Sequence, residues 1–216
     1  MFAGHYSSAF VAKATHPRVP IWCLLAAAQF VDIVWATFVL SGVEHARMNE
    51  GLPSNPLELY HMPYTHSGLG ALFWSFVAFV SARRFLALDN RSAFVIGATV
   101  ASHWVLDWMV HRPDLSIAFE TRKYGLGLWD YPMAAYLLEM LFIAASAWVC
   151  MRACGITGRS RRPWLLLAGG LMILQTATSF GPLPTSVTSM VGSVLPLYLA
   201  IPWIGAWVER SSARSR

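Results

Sequence analysis

Apolar stretches of about 20 residues recur along this chain, and several hold an acid or an imidazole near their middle. A helix of that length crosses roughly 30 Å of hydrocarbon. No water is available there to satisfy backbone N–H and C=O groups, so the crossing segments must be helical. Six stretches qualify: Ile21–Val43, and approximately Gly68–Phe85, Ala93–Val110, Tyr131–Cys150, Pro163–Phe180 and Val187–Val208. Short polar or Pro/Gly-bearing loops separate them, and no internal repeat is evident. Only 12% of residues are charged, against about 25% in ordinary soluble domains. The expectation is an all-α integral membrane protein, one domain over residues 1–216, with about six transmembrane helices.

The charge pattern sets an orientation. One group of loops holds Lys13, Arg18, Arg83, Arg84, Arg91, Arg152, Arg159, Arg161, Arg162, Arg210, Arg214 and Arg216, and the other holds Arg47, Arg112, Arg122 and Lys123. Cytoplasmic loops carry the Lys/Arg excess. The C-terminus is therefore expected in the cytoplasm, with the loops after spans one, three and five outside. The net charge of +5 reads as this topology signal, and no nucleic-acid partner is expected. Cys23, Cys150 and Cys154 make an odd count, which gives no disulfide framework. The first residues lack the long apolar core of a cleaved signal peptide.

Ionisable groups inside a span are costly and mark sites. With about 1.5 Å rise per residue, Asp32 lies roughly 18 Å into its span, His103 roughly 15 Å into the third, and Glu139 roughly 13 Å into the fourth. Asp107 is one turn beyond His103. All four reach a common layer near or somewhat outward of mid-depth. Residues 103, 107 and 111 share one helix face, and i,i+4 imidazole–carboxylate spacing lets two side chains reach one ion. A hydrogen-bonded His–Asp staple between helices is the alternative. "YHMPYTHSG" adds His61 and His66 at the outer mouth of span two. His5 precedes a segment too short to span, ending in the Pro-bearing "THPRVP". That segment is read either as a re-entrant helix, with His5 near the layer of Asp32, or as an interfacial one. Imidazoles and carboxylates without thiols favour Zn, as one or two ions, with Mn or Fe as alternatives. His111 and Arg112 lie farther out, where a polar head group would contact them.

These boxes together resemble a known family. Gly4-His5, Val31-Asp32, His61 through Thr65-His66-Ser67, and Ser102-His103 through Leu106-Asp107 resemble the YdjM-type, LexA-binding, inner-membrane-associated metal-dependent hydrolases. The resemblance covers about residues 4 to 140, the expected metal-site portion; the last two helices, within 163–208, match nothing in it. It implies metal ligation by His5, Asp32, His66, His103 and Asp107, in the manner of zinc-dependent phospholipase C and nuclease-type sites. The resemblance adds His61 as a further ligand; His61 and Glu139 are also the candidates for catalytic roles, Glu139 as general base or as a ligand. Two departures stand out: Val34 replaces a second acid, and Met62 stands where many members have Arg. Glu139 would have to supply the missing carboxylate.

The expected function is a membrane-embedded phosphoesterase-like hydrolase acting on a lipid or lipid-linked substrate in a bacterial inner membrane, its site in the extracytoplasmic half. The alternatives are a proton- or cation-coupled transporter using the same buried cluster, or a redox protein with haem or di-iron bound through His.

Overall fold

The computed structural model describes residues 1–49, 51–52, 55–118 and 122–215; Arg216 of the basic C-terminus lies outside them. After a 3-10 turn over Ala3–His5, the order is α1 (Tyr6–Thr15), α2 (Ile21–Ala28), α3 (Phe30–Leu40), β1 (His45–Met48), β2 (Leu57–His61), α4 (Gly68–Arg84) and α5 (Asn90–Val110). Two two-residue strands follow, β3 (Leu115–Ser116) and β4 (Lys123–Tyr124), and then α6 (Pro132–Ala153), α7 (Arg161–Phe180) and α8 (Val187–Arg214). The fold is helical, as the apolar patterning predicts.

Among the described residues, four helical segments are long and apolar enough to cross a membrane: Asn90–Val110, Pro132–Ala153, Gly158–Phe180 and Val187–Arg214. The expected span over Ile21–Val43 is instead a broken pair, α2 and α3, bent by 46°. The break falls at Gln29, whose backbone leaves the helical region at φ −107° and ψ 4°. Helix α4 has 17 residues. At 1.5 Å each it is about 26 Å long, somewhat short of a ~30 Å core. Large apolar side chains face outward from the bundle, Trp203 at 78% exposure and Ile173 at 73%. A soluble monomer rarely presents so much contiguous apolar surface, whereas hydrocarbon would cover it.

Helix α1 does not lie on the surface. Ala3, Tyr6, Ala9 and Phe10 are completely buried, and the helix packs against α2, α5 and α6. The first amides of a helix have no intrahelical partner, so burying this end requires acceptors from elsewhere. Glu139 Oε2 on α6 accepts from Phe2 N at 2.9 Å and Gly4 N at 3.0 Å. Gln175 Oε1 on α7 accepts from Ala3 N at 3.1 Å. Gly4 permits this approach, since a Cβ there would lie 3.0 Å from Glu139 Cγ and 2.5 Å from Met1 Sδ. At the other end Lys13 donates to the carbonyls of Pro17 at 2.7 Å and Val19 at 2.9 Å, and to Glu209 of α8. Lys13 is thus a buried clamp (5% exposed), not the solvated loop charge its sequence position implies.

Two antiparallel hairpins, too short to register in the sequence, cover the connections after α3 and α5. In the first, β1 pairs with β2 and a bidentate Arg47–Glu58 contact, 2.8 and 2.9 Å, ties the strands. In the second, Leu115 opposes Tyr124. All three cysteines are free thiols.

Candidate metal centre

The break at Gln29 builds the first part of the site. Asp32 falls in the first turn of α3, where the helix dipole favours a carboxylate. The Gln29 side-chain amide donates to Asp32 Oδ2 at 2.5 Å. Ending α2 at Ala28 also leaves a last-turn carbonyl without a helical partner, and His103 Nδ1 lies 3.0 Å from it. A carbonyl only accepts, so this ring carries hydrogen on Nδ1, and in its neutral form presents Nε2 as the nitrogen that can bind a metal.

Helix α5 brings His103, Asp107 and His111 onto one face, although the helix itself ends at Val110 and His111 caps it. The ring of His103 stacks on His5, with centroids 3.7 Å apart and planes within 8°. From the start of α4 comes His66, its Nδ1 beside Thr65 Oγ1 at 2.9 Å. Ser67 caps that helix by accepting from Gly70 N at 2.9 Å.

The donor atoms converge. Asp32 Oδ1 lies 3.3 Å from His66 Nε2 and 3.4 Å from His103 Nε2. Asp107 Oδ2 lies 3.6 and 3.1 Å from the same two nitrogens. On its other side, Asp107 Oδ1 faces His5 Nε2 at 3.1 Å, His111 Nε2 at 3.3 Å and the Met1 amino group at 2.6 Å. Two triads, His5/His103/Asp107 and Asp32/His66/His103, each place three ligand atoms within 4.8 Å of one another, and every member is buried. Yet His5 Nε2, His103 Nε2 and Asp107 Oδ2 make no hydrogen bond. These atoms are thus close together without hydrogen-bonding one another, the spacing that ligands of one ion have. A buried lone pair opposite a carboxylate oxygen is strongly unfavourable unless a proton or a metal cation lies between them. The cluster can hold a metal ion, and its residue types and spacing suit one.

His111 sits beyond the end of α5, with Nδ1 2.9 Å from Asp114 Oδ1. Burial lowers the pKa of its ring, but the Asp107 and Asp114 carboxylates outweigh that and raise it above the ordinary value. A metal at Nε2 competes with that proton. Trp129 covers the ring at 4.0 Å between centroids.

Of the residues singled out in the sequence, His5, Asp32, His66, His103 and Asp107 come together. His111, expected at a substrate head group, joins them through Asp107. Glu139 is buried beside the cluster and lines the same cavity, but its Oε2 serves the amides of the 3-10 turn. His61 goes elsewhere: it lies at the end of β2, its ring 5.5 Å from His45 across the hairpin. Arg112 is engaged by Asp130 at 2.6 Å and by Asn55 O at 3.2 Å, with its guanidinium over Trp129 at 5.9 Å. Sequence reasoning passed over Gln29, Gln175 and Glu44. The first two are amides inside apolar stretches, a visible signal. Glu44 stands in a connection where a carboxylate is ordinarily solvated, so nothing marked it.

A cavity of about 310 Å³ adjoins the cluster, with Asp32, His66, Asp107, His111 and Glu139 on its polar wall. Its other walls come from α6, α7, α8 and the α7–α8 connection, including Ala135, Phe180, Leu183 and Val194. Neither protein-family models, nor curated proteins, nor solved structures contain a match to the chain.

Proposed function

We propose that the chain is an integral-membrane, metal-dependent hydrolase that cleaves a phosphoester of a lipid or lipid-linked substrate. The observation that carries this reading is the buried cluster whose Nε2 and carboxylate atoms converge without hydrogen-bonding each other. Asp32, His66, His103 and Asp107 would hold zinc, with His5 and His111 on the far side of Asp107. Zinc bound there supplies a Lewis acid and lowers the pKa of a water ligand to about 7.

The protein's own groups do the rest. Hydrogen bonds from His103 Nδ1 to Ala28 O and from Gln29 to Asp32 fix the ligands before metal arrives. Preorganisation of this kind keeps donor positions constant through turnover. The cavity joins the polar cluster to an apolar wall, which matches an amphiphile with its head group at the histidines and its chain between α6 and α8. In this reading six segments cross the bilayer, with α2–α3 as one broken span and α4 as a short one. Helix α1 is re-entrant, which is tolerated because protein surrounds it. The C-terminus is cytoplasmic and the cluster lies in the extracytoplasmic half, following the basic-residue bias.

The test is purification without chelator, elemental analysis, and turnover of phosphoesters bearing long or short alkyl chains. Zinc near one or two per chain and hydrolysis abolished in His103→Ala are expected. Absence of metal from folded protein would sink the proposal. Cation flux in proteoliposomes that persists after metal removal would favour a transporter.

A further inference from the structure

Glu44, between α3 and β1, is completely buried, and among the described residues the hydrogen bonds its carboxylate accepts come from the segment that precedes His66. Oε1 accepts from Tyr64 N at 2.8 Å and Thr65 N at 3.0 Å. Oε2 accepts the Thr65 hydroxyl at 2.5 Å. Thr65 Oγ1 is in turn 2.9 Å from His66 Nδ1. Either hydrogen direction is open to the Thr65–His66 contact taken alone. The carboxylate decides it. A carboxylate only accepts, so the single hydroxyl hydrogen of Thr65 is committed to Glu44. Oγ1 can then offer His66 only a lone pair, and Nδ1 must carry the ring hydrogen.

We propose that Glu44 is a positioning residue for the metal site, acting through Thr65 to hold His66 with its Nε2 lone pair toward Asp32 and Asp107. The inference rests on the reading of the cluster as a metal centre. Two backbone amides and one hydroxyl give Glu44 a fixed place, so the chain of hydrogen bonds donates in one direction, from the ring through Thr65 to the carboxylate. On His103, too, Nδ1 is held as a donor, there by the Ala28 carbonyl. An acid two bonds removed from a ligating imidazole raises ligand basicity and fixes ring orientation.

Glu44→Gln is the informative variant because it keeps shape and one acceptor. Its carbonyl oxygen can still accept the Tyr64 and Thr65 amides. Its NH₂ then faces Thr65 Oγ1 and donates, which frees the hydroxyl hydrogen to point at His66 Nδ1. The ring hydrogen moves to Nε2, where it blocks the metal. Nitrogen-15 NMR of histidine-labelled, metal-free full-length protein in detergent reads the tautomer directly. The expected result is Nδ1–H for His66 in the wild type and Nε2–H in Glu44→Gln; an unchanged tautomer in the variant overturns the proposal. Zinc titration should show Glu44→Gln weakened by roughly 10- to 100-fold. Thr65→Ser should keep both tautomer and affinity, and Thr65→Val should lose both. That pair gives the same test should Glu44→Gln fail to fold, and a Thr65→Val protein indistinguishable from Thr65→Ser would also overturn it. If the wild type binds no zinc while the tautomer still follows residue 44, the metal reading falls and the relay stands.

Discussion

Removal of His103 is the sharpest test of how the cluster works. Among the described residues its Nε2 is the one nitrogen within 3.4 Å of both Asp32 Oδ1 and Asp107 Oδ2, and its ring stacks on His5. Structural zinc sites contribute about 10–16 kcal/mol, so an equal share for each of four donors is about 2.5–4 kcal/mol. At about 1.4 kcal/mol per factor of ten, His103→Ala should weaken zinc binding roughly 60- to 700-fold. The effect also appears as stability. At free zinc one hundred times the wild-type Kd, metal adds about 2.7 kcal/mol to the folded wild type. A variant bound 100-fold more weakly gains only about 0.4 kcal/mol from the same zinc. Competition against a chromophoric zinc indicator in detergent gives the affinity, and melting with and without zinc gives the difference in stabilisation. The comparison of each protein with its own metal-free form removes the cost of the small cavity left by the missing ring. A His103→Ala protein that binds zinc as the wild type does, or gains the same stabilisation from it, would refute the geometric argument.

Three further outcomes are expected. Glu139→Ala strands the Phe2 and Gly4 amides, which costs about 1–3 kcal/mol for each unsatisfied donor; the melting temperature should fall, while zinc content per folded chain stays the same. Ser67→Ala removes the cap of α4 and should lower stability by about 1 kcal/mol, read from the thermal midpoint. Gly125→Ala would put a Cβ 2.1 Å from Arg112 O and 2.4 Å from His111 O, so the turn holding His111 must shift, and both stability and zinc affinity should drop; unchanged values would show that the turn is free to relax.

Much of the site could be read before any coordinates. Asp32, His103, Asp107 and Glu139 stood out because an ionisable group in an apolar stretch is expensive unless the fold partners it. Their shared depth followed from the helical rise alone. His61 and His66 carried the same local signal, and the chain separates them only because Leu57–His61 pairs as a strand with His45–Met48, while His66 is held by Thr65 just before the Ser67 cap. The break at Gln29 was not legible, since "LLAAAQFVDIV" has neither proline nor glycine. The break leaves the Ala28 carbonyl to a tertiary partner, His103, and the Gln29 side-chain amide to a local one, Asp32.

By itself the sequence determined the helical class, the apolar lengths and the layer in which the acids and imidazoles meet. Each of these follows from properties summed along one segment: hydropathy, rise per residue and the cost of burying charge. Tertiary structure decided which groups face one another. It buried α1 among α2, α5 and α6, committed Glu139 and Gln175 to its first amides, and turned Glu44 from a loop acid into the buried partner of Thr65. Those outcomes depend on the directions of hydrogen bonds between segments far apart in the chain, and direction is a property of the packed molecule that no single segment carries.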